Sequence, residues 1–159
     1  MLLHFATLLL LAALIALVWT DTQSFRLPDK ITLPLIPAGL AVNAVLLDQI
    51  WSPLIGAALG YGVLVSIELG YRYLRGIDGL GRGDAKLLAA GGAWCGAWML
   101  PVILLIGSWS ALLYVFLVGL AERRAPDQST AIAFGPWIAY GIILAWCFHA
   151  FGAPFQLAF

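Results

Sequence analysis

Two acidic residues, Asp21 and Asp84, have the type and placement to share one reaction. Asp84 follows a glycine-rich turn, Gly79-Leu80-Gly81-Arg82-Gly83, and opens an apolar stretch from Ala85 to Trp98. Gly81 and Gly83 lack the Cβ atoms that would hold another backbone away from this turn. Acids at membrane depth are costly and read first as functional. A carboxylate that a peptide can approach closely suits hydrolysis, provided a second acid completes the pair. Asp21, at the end of the first apolar segment, is the candidate. Two close carboxylates do not both ionise cheaply, so they share a proton. The ionised member takes a proton from water; the protonated one polarises a carbonyl and later releases the amine. On spacing alone, Asp21 as a helix-end charge and Asp84 as a helix N-cap remain equally open readings.

The elements that must carry these acids lie in lipid. The 159 residues are 63% hydrophobic and 10% charged, with mean hydropathy +0.99. Soluble domains carry about 25% charged residues, so the chain reads as an all-α, multi-pass membrane protein forming one domain over residues 1–159. A net charge of zero gives no bulk electrostatic case for nucleic acid. Cys95 and Cys147 are isolated in apolar segments and read as small core residues, with no metal-ligand spacing.

About six spans are expected: Leu2 to Trp19, Ile31 to Leu47, Pro53 to Tyr71, Ala85 to Trp98, Pro101 to Ala121 and Ala131 to Phe151. The runs lack the alternation of barrel strands. The second and fourth are short against the ~20 residues that cross a bilayer. The first has no basic leader and a poor cleavage site, so it reads as a retained helix. All 8 Lys and Arg residues fall in the loops after spans one, three and five or at their edges. The positive-inside rule therefore places those loops in the cytoplasm and both termini on the periplasmic side. Asp21 and Asp84 then share the cytoplasmic membrane edge.

The other acids have plainer expectations. Asp48 reads as a solvated loop charge on the outer side, and Glu122 and Asp127 flank Arg123 and Arg124. Glu68 stands four residues before Arg72, the spacing of a helical ion pair, with a site-facing role as the alternative. Asp29 follows Pro28 at an expected N-cap. Asp78 sits in a turn before the glycines, with a substrate-facing charge as the alternative. Lys86 is expected to snorkel to headgroups or to steer an acidic substrate group.

Three blocks carry a family resemblance. Asp21-Thr22-Gln23-Ser24-Phe25-Arg26-Leu27-Pro28-Asp29, followed by Ile31-Thr32-Leu33-Pro34-Leu35, resembles the first signature of the type IV prepilin peptidases. Gly81-Arg82-Gly83-Asp84-Ala85-Lys86-Leu87-Leu88, with Gly92-Ala93-Trp94 beyond it, is similar to that family's GxGD block. Ala133-Phe134-Gly135-Pro136 is similar to its Pro-Phe-Gly-Pro entry into the last helix. The resemblance covers nearly the whole chain. It implies an aspartyl endopeptidase of the inner membrane that cuts the basic leader from prepilins or pseudopilins at the cytoplasmic face. Asp21 and Asp84 would be catalytic; Gly81, Gly83, Asp78, Lys86, Asp29 and Glu68 would shape the site or bind substrate. No metal or cofactor is implied. Partners would be the prepilin leader, its hydrophobic helix and the lipid bilayer, in pilus, type II secretion or tight-adherence systems. Many members carry an N-terminal domain with two CxxC pairs, linked to methylation; neither feature is expected here, so methyl transfer is not implied for this chain. Asp78 stands where the family more often has Glu, and Ala133 replaces a Pro.

Two other classes compete. A small proton-coupled transporter or channel subunit would place acids deep within spans and show an internal repeat; Glu68 alone among the acids is at all buried in a span, and no repeat is visible. A non-catalytic scaffold would need neither acid. Small residues in span four (Ala85, Ala89, Ala93; Gly92, Gly96) read as helix packing or, alternatively, a seat for the substrate helix. Trp19, Trp51, Trp94 and Trp98 read as interface-belt residues. His4 and His149 are expected near the outer face, away from the acids.

Overall fold

The structure is a computed structural model and describes residues 1–75, 81–122 and 133–151. The described residues form six α-helices: α1 (Leu2–Ser24), α2 (Asp29–Leu46), α3 (Trp51–Arg75), α4 (Arg82–Cys95), α5 (Leu100–Glu122) and α6 (Gly135–Phe151). A 3-10 turn, Ala97–Met99, joins α4 to α5. Among the described residues there is no strand. Helices α1, α2 and α3, and the stretch 97–121 containing α5, are long and apolar enough to cross a membrane. Helix α6 is apolar but shorter, at 17 residues.

Local chemistry sets the breaks. Helix α1 runs past Trp19 and carries Asp21 inside its last turn. It ends at Phe25, whose left-handed backbone (φ 51°) turns the chain while its N–H bonds the Asp21 carbonyl. Pro28 cannot extend a helix from its N-terminal side and caps α2 instead. Its carbonyl accepts the N–H groups of Ile31 and Thr32 and the Thr32 hydroxyl. Asp29 is therefore the first helical residue of α2, one position past the expected N-cap. Gly96 ends α4 with φ 83°, a conformation that favours glycine.

Helix α4 is the centre of the molecule. Ala85 and every residue from Leu87 to Cys95 are buried, and α2, α3, α5 and α6 all contact it. At about 1.5 Å per residue its 14 residues are too short to cross ~30 Å of hydrocarbon. Its neighbours shield it, so it need not do so. The small-residue stripe is what allows this enclosure. A Cβ on Gly92 would collide with the Gly56 carbonyl, and one on Gly60 would stand 2.7 Å from the Leu88 carbonyl. Backbone thus meets backbone between α3 and α4, and the stripe is used for packing, leaving no room there for a substrate helix.

Two expectations about side chains are corrected. Trp94 is fully buried rather than at an interface: it lies over Gly39, donates Nε1–H to the Leu35 carbonyl (2.8 Å) and meets Trp146 edge-on at 5.1 Å. Trp19, Trp51 and Trp98 are exposed on the bundle surface. Cys95 is in the core, whereas Cys147 is exposed and not a core residue.

Candidate active site

Helix direction brings five chain segments to one end of the bundle. These are the last turns of α1 and α3 and the first turns of α2, α4 and α6. Asp21 is buried in the last turn of α1. Its Oδ2 accepts the amide N–H of Gly135, the first residue of α6, at 3.1 Å. Asp84 lies in the first turn of α4, where its own N–H bonds the Gly81 carbonyl at 3.0 Å. A Gly81 Cβ would stand 3.5 Å from Asp84 Oδ2, so the glycine turn lies against this carboxylate.

Leu27 wedges the site together from below. Its Cβ is 3.0 Å from the position of a Gly83 Cβ, and its Cδ1 is 3.5 Å from that of a Gly135 Cβ. Asp21 and Asp84 are thus held by three helix ends packed around one leucine, although 63 positions of sequence separate them.

Ion pairs surround this centre. Lys86 Nζ reaches Asp29 Oδ1 at 2.6 Å, tying the start of α4 to the start of α2. Lys86 is therefore engaged with a neighbouring helix, not simply raised toward headgroups. Glu68, buried near the end of α3, pairs with the exposed Arg82 at 3.5 Å. That partner lies on α4, on a different helix from the i+4 spacing of Arg72. Gly83 contacts Leu27 as described. Asp78 lies outside the described residues, as do Arg123, Arg124 and Asp127.

Chemically, the centre offers two carboxylates on helix ends that share Leu27, one of them with a backbone donor. Among the described residues no three His, Cys, Asp or Glu side chains form a group that could hold a metal ion. Sequence reading did not identify Gly135 or Leu27 as parts of this centre. The Phe134-Gly135-Pro136 run was visible as a helix entry, but nothing in it says which residue its first amide would meet.

The sequence profile of the type IV leader peptidase family matches residues 8–118. Similar curated proteins include one from Escherichia coli, 46% identical over 125 residues, covering 78% of this chain and 54% of its own length. One from Aeromonas hydrophila is 43% identical over 147 residues (89% and 49%), and one from Dichelobacter nodosus 38% over 141 residues (88% and 46%). All three are named prepilin leader peptidase/N-methyltransferase. The chain spans about half the length of the curated relatives it matches. No solved structure gives a significant match.

Proposed function

Because the chain belongs to the type IV leader peptidase family, we propose that it is a membrane aspartyl endopeptidase acting on prepilins or pseudopilins. Asp21 and Asp84 are its catalytic pair. The single observation that carries this reading is the convergence of two helix ends on Leu27, one bearing Asp84 and the other Asp21, whose carboxylate Gly135 grips.

The mechanism follows from two carboxylates sharing one proton. The ionised member removes a proton from water as the oxygen attacks the scissile carbonyl carbon. The protonated member donates a hydrogen bond to the carbonyl oxygen as negative charge builds there. The resulting gem-diol collapses, the C–N bond breaks, and a carboxyl proton passes to the departing amine. The pair titrates as a unit, so its apparent pKa values belong to the dyad rather than to either acid.

Charge placement supports the orientation. In sequence every Lys and Arg falls after the first, third or fifth apolar segment or at its edge, and the end of the bundle that carries the acids is assigned to the cytoplasm of an inner-membrane protein. The same assignment puts both ends of this sequence on the periplasmic side, with α4 and α6 completing six membrane segments. Asp29 and Glu68, at the same end as the pair, suit a substrate with a basic leader, and Asp78 is proposed to add to them from sequence alone; the lipid-facing helices suit its apolar segment. Of the relatives' two-part name, only the peptidase half is carried over to this chain.

The test is direct. Purified protein is incubated with a prepilin, and the shortened product is sought; Asp21→Asn and Asp84→Asn are then compared as folded proteins. Loss of cleavage in both is expected. Normal turnover by either would remove it from the pair.

A further inference from the structure

Asp21 needs more than proximity to Asp84; its carboxylate must be aimed. The first N–H groups of a helix have no acceptor within the helix. Gly135 opens α6, and its N–H instead donates to Asp21 Oδ2 at 3.1 Å, across 114 positions of sequence. A Cβ at Gly135 would lie 2.5 Å from that oxygen and 3.1 Å from Asp21 Cγ. Leu27 Cδ1, 3.5 Å from the same point, closes one direction of escape.

We propose that Gly135 is a positioning residue of the site: its amide holds Oδ2, and its missing Cβ lets the Asp21 carboxylate seat against it. The proposal rests on the assignment of Asp21 and Asp84 as the reacting pair. With Oδ2 held, Oδ1 is the oxygen that meets water. What a Cβ would strike here is the tip of a side chain, which yields by rotating. The fold therefore survives and the aim is lost. At Gly92 the obstacle is the Gly56 backbone carbonyl, which cannot rotate away.

The experiment uses the full chain in detergent with a prepilin substrate. Gly135→Ala is expected to lower kcat by about 10²-fold, the scale of a ~1 Å misplacement of a reacting group. KM should stay within about twofold and the unfolding midpoint near that of the parent. Gly62→Ala is the control, because a Cβ there meets nothing within 4 Å. A folded Gly135→Ala with parental kcat would overturn the proposal. So would a loss confined to KM, or one explained by reduced folded protein alone.

A second measurement does not depend on how that variant folds. The sequence contains two Phe-Gly pairs, Phe134-Gly135 and Phe151-Gly152. Labelling with carbonyl-¹³C phenylalanine and ¹⁵N glycine therefore reports two amides. One of them should move markedly upfield in proton shift in Asp21→Asn, as a charged acceptor is replaced by a neutral one. Two unmoved signals would overturn the proposal. Normal cleavage by Asp21→Asn would instead overturn the underlying pair assignment, whatever Gly135→Ala did.

Discussion

The two ends of this bundle use polar groups in opposite ways. At the far end, Asn43 is buried on α2 with Nδ2 within 3.1 Å of three carbonyls, those of Gly39, Ala93 and Trp94. That arrangement turns Oδ1 toward His149 Nε2 at 3.1 Å, which makes Nε2 the donor. Trp146 Nε1–H donates to the Thr7 hydroxyl, and the Ser52 hydroxyl accepts the Ala97 N–H. These groups are neutral, complementary and matched, and they join α1, α2, α4 and α6. At the other end, two acids, Asp21 and Asp84, sit on helix ends packed about Leu27. Like charges brought together destabilise a fold, so that end holds an arrangement that packing alone would not select. One end secures the central helix; the other uses the held helix to present Asp84.

Five tests break or sharpen this contrast. The largest effect belongs to the charged end. Asp21→Asn and Asp84→Asn should each cut prepilin cleavage by about 10²–10⁴-fold, the range for losing a general acid or base. Their unfolding midpoints should match or exceed the parent's, because a like-charge conflict is removed. A fall in the midpoint of both would mean that the acids serve the fold.

The next effect is structural. Gly92→Val places side-chain atoms against the Gly56 carbonyl and should cost about 3 kcal/mol, the upper end for overpacking. Denaturation in detergent would register it as lost folded protein, with activity falling in proportion.

Asn43→Leu tests the neutral end. It strips the Ala93 and Trp94 carbonyls and His149 of a buried partner, at a cost of about 1–3 kcal/mol. Thermal unfolding should show this, whereas kcat of the surviving folded protein should change little. A large kcat loss at parental stability would show that the two ends are functionally coupled.

Smaller still is the Lys86–Asp29 pair. Its carboxylate side chain is 56% exposed, and exposed pairs contribute about 0–1 kcal/mol. Asp29→Asn should keep substantial cleavage, and a double-mutant cycle with Lys86→Met should give a coupling in that range. Last comes Asp48→Asn, in the loop opposite the acids. Asp48 has φ 52°, a left-handed backbone that Asn also accepts, so neither stability nor turnover should move measurably.

Much of this was legible beforehand, for local reasons. Uninterrupted apolar runs bounded by Pro28 and by the glycines near Gly81 mark helix limits, because proline and glycine act on their own backbone, whereas the apolar run reads through to Trp98, past the end of α4 at Gly96. Asp84 was legible as a site candidate because a carboxylate beside glycines at the start of an apolar helix is costly without a purpose. Trp94 was misread because tryptophan near a helix end resembles an interface anchor. Its burial depends on Gly39, a residue of another helix. Glu68 has helical spacing to Arg72, but no spacing announces that Arg82 reaches it from α4. Range within one helix is periodic and readable, whereas range between helices is not.

Membrane residence, helical class and the crowding of charge at one end follow from composition and order alone, since apolar surface on this scale and the placement of Lys and Arg need no coordinates. Which groups touch is another matter. The enclosure of α4, the grip of Gly135 on Asp21 and the wedge of Leu27 arise only when helix ends distant along the chain converge. Each such contact depends on crossing geometry and on the absence of single Cβ atoms in several helices at once. That is a property of the assembled bundle, with no counterpart in any one stretch of residues.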